Sequence, residues 1–157
     1  MRAKRCAVVM VTLACMLTAS GCHEDTPEKA IRRVLDDAVA AIHARDVDRA
    51  ARHLSPTYRD RLGRTAREVR QLGFFVLRRG PVYVHLRDTN IEVEGAIARV
   101  TTTAYAVQGQ PEMRKLGDLV PRDAERLELT LRLALEAGRW RVRAIDGDGL
   151  DVPGWGG

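Results

Sequence analysis

Between Arg126 and Asp146 apolar side chains fall at every second position. Leu127, Leu129, Leu131, Leu133 and Leu135 alternate with Glu128, Thr130, Arg132, Ala134 and Glu136. A strict period of two predicts a strand with one buried face. Ala137-Gly138 then reads as a two-residue turn, and Trp140, Val142 and Ala144 alternate with Arg139, Arg141 and Arg143. The pattern therefore predicts an antiparallel hairpin with one apolar face. Such a face needs a covering layer.

The upstream half supplies helices for that layer. Thr26-Pro27-Glu28 reads as N-cap, first helical position and first-turn acid, and Ile31, Val34, Leu35, Ala38, Ala41 and Ile42 follow at three and four spacing. Asp46 caps a second, shorter helix whose Val47, Ala50, Ala51 and Leu54 share a face, stopped by Ser55-Pro56. The same Ser-Pro pair is expected to open a third helix with a stripe of Tyr58, Leu62, Ala66, Val69 and Leu72 or Gly73. Its opposite face carries Arg59, Arg61, Arg64, Arg67 and Arg70, with Arg78 and Arg79 beyond. Phe74 to Leu77 either ends this helix or enters the sheet.

From Pro81 the period changes to two. Val82, Val84 and Leu86 alternate with Tyr83, His85 and Arg87 as a first strand, and segments 91–94 and 97–107 flank Gly95-Ala96 as a hairpin rich in Thr and Val. Segment 108–123, with two prolines, two glycines and no period, reads as a long loop. Segment 147–157, rich in Gly and Asp, reads as a disordered tail. Helices followed by an antiparallel meander make an α+β class, with N-terminal helices packed on a curved antiparallel sheet.

The first residues belong to a different pattern. Arg2, Lys4 and Arg5 precede an apolar run from Cys6, which is shorter than the roughly 20 residues a membrane-spanning helix needs. That order predicts an export signal over residues 1–21. The chain's formal charge is +5, of which these three basic residues supply three, leaving +2 for the remainder. The basic pI is then weak evidence for nucleic acid, and no nucleic-acid partner is expected. Cys6 and Cys15 fall inside the signal, so Cys22 is the last cysteine in the chain and no internal disulfide follows it.

Ala19-Ser20-Gly21-Cys22 resembles a bacterial lipobox, with Ala19 where that motif usually has Leu. The resemblance implies lipidation of Cys22, a lipidated tether over 22–26 and attachment to a membrane. His23, in place of Asp, is the residue that in such sorting implies the outer membrane, facing the periplasm. Further on, Arg-Asp-Val-Asp-Arg-Ala-Ala (45–51), Leu-Ser-Pro-Thr-Tyr-Arg (54–59) and Gly-Arg-Trp-Arg-Val (138–142) occur in an order similar to the nuclear transport factor 2-like superfamily, over residues 27–146. That resemblance implies a cone-shaped, cystatin-like domain: a curved sheet wrapped around the first helix, a pocket between them, and a homodimer through the sheet. It implies no single activity, because the superfamily includes isomerases, dehydratases, hydrolases and non-catalytic binding modules.

Candidate chemistry is sparse. His53, Tyr58 and Asp60 lie close in sequence, and a His with a carboxylate is a plausible acid–base pair. Tyr83, His85 and Arg87 share a strand face that either lines the cone or looks outward. Tyr58, Tyr83 and His85 are thus the polar candidates for a pocket lining, whose aliphatic remainder would suit an apolar small ligand. Arg61, Arg64, Arg67 and Arg70 are candidates for contact with an anionic lipid surface. Asp146, Asp148 and Asp151 lack the further ligands of a calcium loop, and no Cys/His cluster, phosphate loop or nucleophile elbow occurs. Neither a metal nor a cofactor is expected. The reading that emerges is a membrane-anchored, non-catalytic binding or assembly module of the cell envelope, with a small-molecule enzyme of the cone pocket as the alternative.

Overall fold

The computed structural model describes residues 26–109 and 124–148. The signal, Cys22, most of the long central loop and the tail from 149 onward lie outside them. Seven elements run in the order α1 (Pro27–His43), α2 (Val47–Ala51), α3 (Ala66–Arg79), β1 (Val82–Glu94), β2 (Ile97–Gln108), β3 (Glu125–Glu136) and β4 (Arg139–Asp148). The strands form one antiparallel sheet in the order β1-β2-β3-β4. The expected α+β layering is therefore observed.

Each helix starts where its chemistry allows. Thr26 accepts from the Lys29 amide, Asp46 from the Arg49 amide, and Thr65 with Glu68 makes a reciprocal capping box. That box explains a correction. The third helix begins at Ala66 rather than at Ser55-Pro56, because Asp60 folds the preceding segment instead. Its carboxylate accepts from the Leu62 and Arg64 amides (2.9 Å each) and from Arg64 Nε (2.6 Å). Arg59, Arg61 and Arg64 thus precede the helix and form no single stripe with Arg67 and Arg70. Phe74 to Leu77 is helical.

The core forms between α1 and one face of the sheet. Ile31, Leu35, Tyr58, Ala98, Val100, Leu131, Leu133, Trp140 and Val142 make one buried cluster, joined by Leu86, Ile91, Val93 and Ile145. A smaller cluster of Val47, Leu77 and Val82 seats α2 and α3. Gly73 permits this approach, since a Cβ there would lie 3.1 Å from a Val47 methyl.

Two bulges shape the sheet and amend the expected strands. Residues 82–94 form one strand, not two, with a register shift between Arg87 and Asn90 where Asp88 adopts φ 51°. A second shift follows Arg132, so that Leu133 faces Val142 but Arg132 faces Ala144. Ala144 therefore leaves the Trp140–Val142 face, and Ile145 takes its place opposite Leu131. The β3–β4 turn has positive φ at both Ala137 (47°) and Gly138 (75°), the twist that a two-residue hairpin requires. β4 extends to Asp148, two residues past the expected end of the domain.

Each sheet edge is capped at one point. At β1, His43 Nε2 lies 2.9 Å from both the amide nitrogen and the carbonyl oxygen of Val84. At β4, His53 O accepts from Val142 N and Ser55 N donates to Val142 O, both at 2.8 Å, so residues 53–55 run beside the edge as a short parallel partner. Neither edge invites strand addition there.

Candidate functional site

Tyr58 is buried within the core, and burial pushes its phenol up to about 12. It fills the interior rather than lining an opening. Tyr83 and His85 pair with Val107 and Tyr105 on the sheet face opposite the core cluster, so they look away from the cone. Tyr83 is buried there, whereas His85 borders a groove of about 410 Å³ between α1 and β1. The cone's end does hold a cleft, between Val76 and Arg79 of α3 and Val82 and Ala106 of the sheet, but it measures only about 130 Å³. Small-molecule sites usually need about 300–1,000 Å³.

His53 does meet a carboxylate, though not that of Asp60. Its Nε2 lies 2.7 Å from Asp37 Oδ2, while Asp37 Oδ1 is held by Arg49 through Nε (3.0 Å) and Nη2. Because a carboxylate only accepts, His53 Nε2 carries the proton. The Arg49 guanidinium, then His53, lower the Asp37 carboxyl from 3.8 to about 2. Such a group stays ionised at neutral pH and is poorly matched to proton transfer. Among the described residues, neither lines the concavities of about 410 and 530 Å³, and the trio clamps α1 to α2. Its sign with pH is fixed: a carboxyl depressed by folding contributes stability above about pH 4, lost as pH falls through about 2. Asp37→Asn should flatten the acid limb of the stability curve over that range; an unchanged acid limb by denaturant titration would disprove the clamp.

A larger concavity lies on the other side of the sheet. Register places Glu92, Arg99, Arg132 and Ala144 in one row across all four strands, on the face turned away from α1. With Glu94, Ile97, Arg143 and Arg59 they enclose a volume of about 530 Å³. The β4 bulge positions Arg143, whose Nε donates to Glu136 Oε1 at 2.8 Å. Ser55, wholly buried, donates to the same oxygen at 2.9 Å and ties the covering segment to the hairpin. Arg143, and then Ser55, hold the Glu136 carboxyl below its usual value. Arg59 is carried in by its amide, which donates to Arg143 O (3.0 Å), and its Nη1 donates to Tyr58 O (2.7 Å). Four arginines and two glutamates line it, and Glu136 and Asp146 pair with two of the arginines, Arg143 and Arg132, from outside.

Sequence reading missed this row because cross-strand partners depend on register, and two bulges set it. The predicted anionic-surface residues are scattered. Arg61 lines a separate groove, Arg64 is tied to Asp60, Arg67 is exposed, and Arg70 pairs with Asp48 at 2.6 Å. α3 does expose Phe74 and Phe75, with the Arg70 guanidinium 5.2 Å from the first ring and that of Arg79 4.2 Å from the second. Among the described residues no group of His, Cys, Asp and Glu has the makings of a metal site.

Comparison with solved structures identifies the architecture. A nuclear transport factor 2-like protein of unknown function from Pseudomonas putida matches with TM-score 0.60 and 13% identity, over 75% of this chain and 82% of its own. A candidate dehydratase of the nuclear transport factor 2-like family from Streptomyces avermitilis matches with TM-score 0.61 and 16% identity, over 78% and 95%. Bd1075 of Bdellovibrio bacteriovorus matches with TM-score 0.62 and 9% identity over 75% of this chain, which spans 40% of that protein. The fold is nuclear transport factor 2-like. No protein-family model and no curated protein matches the sequence.

Proposed function

We propose that this chain is a non-catalytic binding or assembly module of the bacterial cell envelope, tethered to a membrane through lipidation of Cys22 and facing the periplasm from the outer membrane. The observation that carries the non-catalytic part is the filled cone. Ile31, Leu35, Tyr58, Val100, Leu133 and Trp140 occupy the space between α1 and the sheet, and the cleft left at its end is about 130 Å³. A catalytic constellation needs a concavity with convergent titratable groups. Among the described residues the paired His53 and Asp37 line none of the grooves described above, and the concavity on the far sheet face carries Arg and Glu but no His, Cys or Ser. The open groove beside β1 does gather Asp36, His43 and His85, but His43 Nε2 is taken up by the Val84 backbone.

The membrane part rests on the lipobox-like sequence ending at Cys22, with support from α3. Its exposed Phe74 and Phe75, flanked by Arg67, Arg70, Arg78 and Arg79, combine apolar and cationic groups as surfaces that lie against anionic lipid do. Each cation near such a surface adds about 1 kcal/mol. Replacing both phenylalanines with Ser should lower retention on vesicles containing phosphatidylglycerol; equal retention would remove α3 from the membrane contact.

The alternative, a small-molecule enzyme of the isomerase, dehydratase or hydrolase type, is tested by a substrate screen. Ester, hydration and isomerisation substrates should show no turnover by the wild-type protein. Turnover lost in both His53→Ala and Asp37→Asn, with both variants folded, would establish the enzyme reading instead.

A further inference from the structure

We propose that the concavity on the sheet face turned away from α1 is a binding site for a small ligand carrying a carboxylate or phosphate, clamped between Arg99 and Arg132. The proposal deepens the binding-module reading and rests on it. Its starting point is an arrangement that folding alone does not favour. β2–β3 register sets Arg99 directly opposite Arg132, and like charges facing each other across a strand pair destabilise a sheet.

Nearby carboxylates offset part of that repulsion but hold neither guanidinium closely. Arg99 has no hydrogen-bond or ion-pair partner among the described residues. Arg132 reaches Asp146 only at 3.3 Å, between side chains 60% and 36% exposed, a geometry that contributes little. Glu92, the other cross-strand neighbour of Arg99, instead accepts from Asn90 Nδ2 at 3.2 Å. Two adjacent guanidinium forks with one weak partner between them offer the parallel donors that an oxyanion accepts.

The bulge in β4 completes the cavity. By bringing Ala144 beside Arg132 it places a methyl where any longer side chain would fill the depth, and its Arg143 flanks the opening. The resulting volume, about 530 Å³, lies in the range of small-molecule sites. Ile97, 56% exposed, gives the rim an apolar contact. Glu92 and Glu94 stand on the β1 side, so a second anionic group is disfavoured there and a hydroxyl or ammonium is favoured. The ligand class is therefore a small molecule with an oxyanion at one end, a short apolar body and a hydrogen-bond donor at the other.

Calorimetric titration of the full chain in detergent tests this with three probes: 4-nitrophenyl phosphate, hexanoate and 6-aminohexanoate. Saturable binding is expected for the phosphate and for 6-aminohexanoate, the latter tighter than hexanoate. Arg99→Gln and Arg132→Gln should each weaken it by about tenfold or more, the loss of a charge-assisted contact. Arg32→Gln, on the exposed side of α1, should leave it unchanged. Without ligand, Arg99→Gln should melt no lower than wild type, because it relieves the opposed charges. Absence of saturable binding, equal loss in Arg32→Gln, or a change in self-association without a change in binding would overturn the site and leave the anchored-module reading standing. Release of nitrophenolate by the wild type, lost in Arg99→Gln, would overturn the non-catalytic reading while leaving the site in place.

Discussion

Leu131→Ala will lower the unfolding free energy by about 2–5 kcal/mol, the usual cost of truncating a packed leucine, whereas Thr130→Ala will change it by less than about 1 kcal/mol. The two residues are adjacent in β3 but face opposite ways. Leu131 sits in the core cluster between Val100 of β2 and Ile145 of β4, 7% exposed. Thr130 lies between Thr101 and Asp146 on the other face, beside a shallow groove. Removing three carbons from Leu131 leaves a void under α1 that neither strand neighbour can close. Matching denaturant midpoints for the two variants would show that the assignment of faces is wrong.

Cys22→Ser will shift the protein from the membrane fraction to a soluble or unprocessed form and abolish incorporation of labelled fatty acid. Each buried methylene of an acyl chain contributes about 0.8 kcal/mol, so two or three chains hold a protein stably and their loss is close to all-or-none. Among the described residues no helix is long and apolar enough to cross a membrane. On the proposed reading, what would remain after the substitution is the α3 surface, whose two phenylalanines and flanking arginines would give reversible attachment only. Equal membrane partition of both proteins, or a mature N-terminus away from residue 22, would remove the anchor from the account.

The residues legible in the sequence were those whose environment is local. Ile31, Leu35 and Ala41 of α1, and Leu131 and Leu133 of β3, are buried as their periods require. The period failed where a bulge intervened. The period places Ala144 on the Val142 face, but it lies on the arginine face, because the extra residue at Arg143 shifts everything after it. Leu135, last of the leucine series, is 44% exposed at the end of the hairpin, where the sheet offers nothing further to pack against. The stripe predicts the third helix too early because Tyr58 and Leu62 fit it. Tyr58 is buried from a turn, and Leu62 is 56% exposed.

The site residues were harder to read for a physical reason. Asp37 and Arg49 are twelve residues apart on two helices, and His53 adds a third point from the segment after α2, so no spacing motif announces them. Arg99 and Arg132 each look like an ordinary solvent-facing residue of an amphipathic strand. Only their pairing makes them unusual, and the segment joining their strands, residues 109–124, is too long to specify a register.

The central claim is that binding takes place on the arginine face of the sheet and not inside the cone. Backbone amide shifts of the isotopically labelled protein in detergent, followed while 4-nitrophenyl phosphate is added, test it most directly. Saturating shifts should concentrate at Glu92, Ile97, Arg99, Arg132 and Ala144, with Ile31, Leu35, Tyr58 and Trp140 unmoved. Shifts centred on the latter four would place the ligand in the cone and contradict the account.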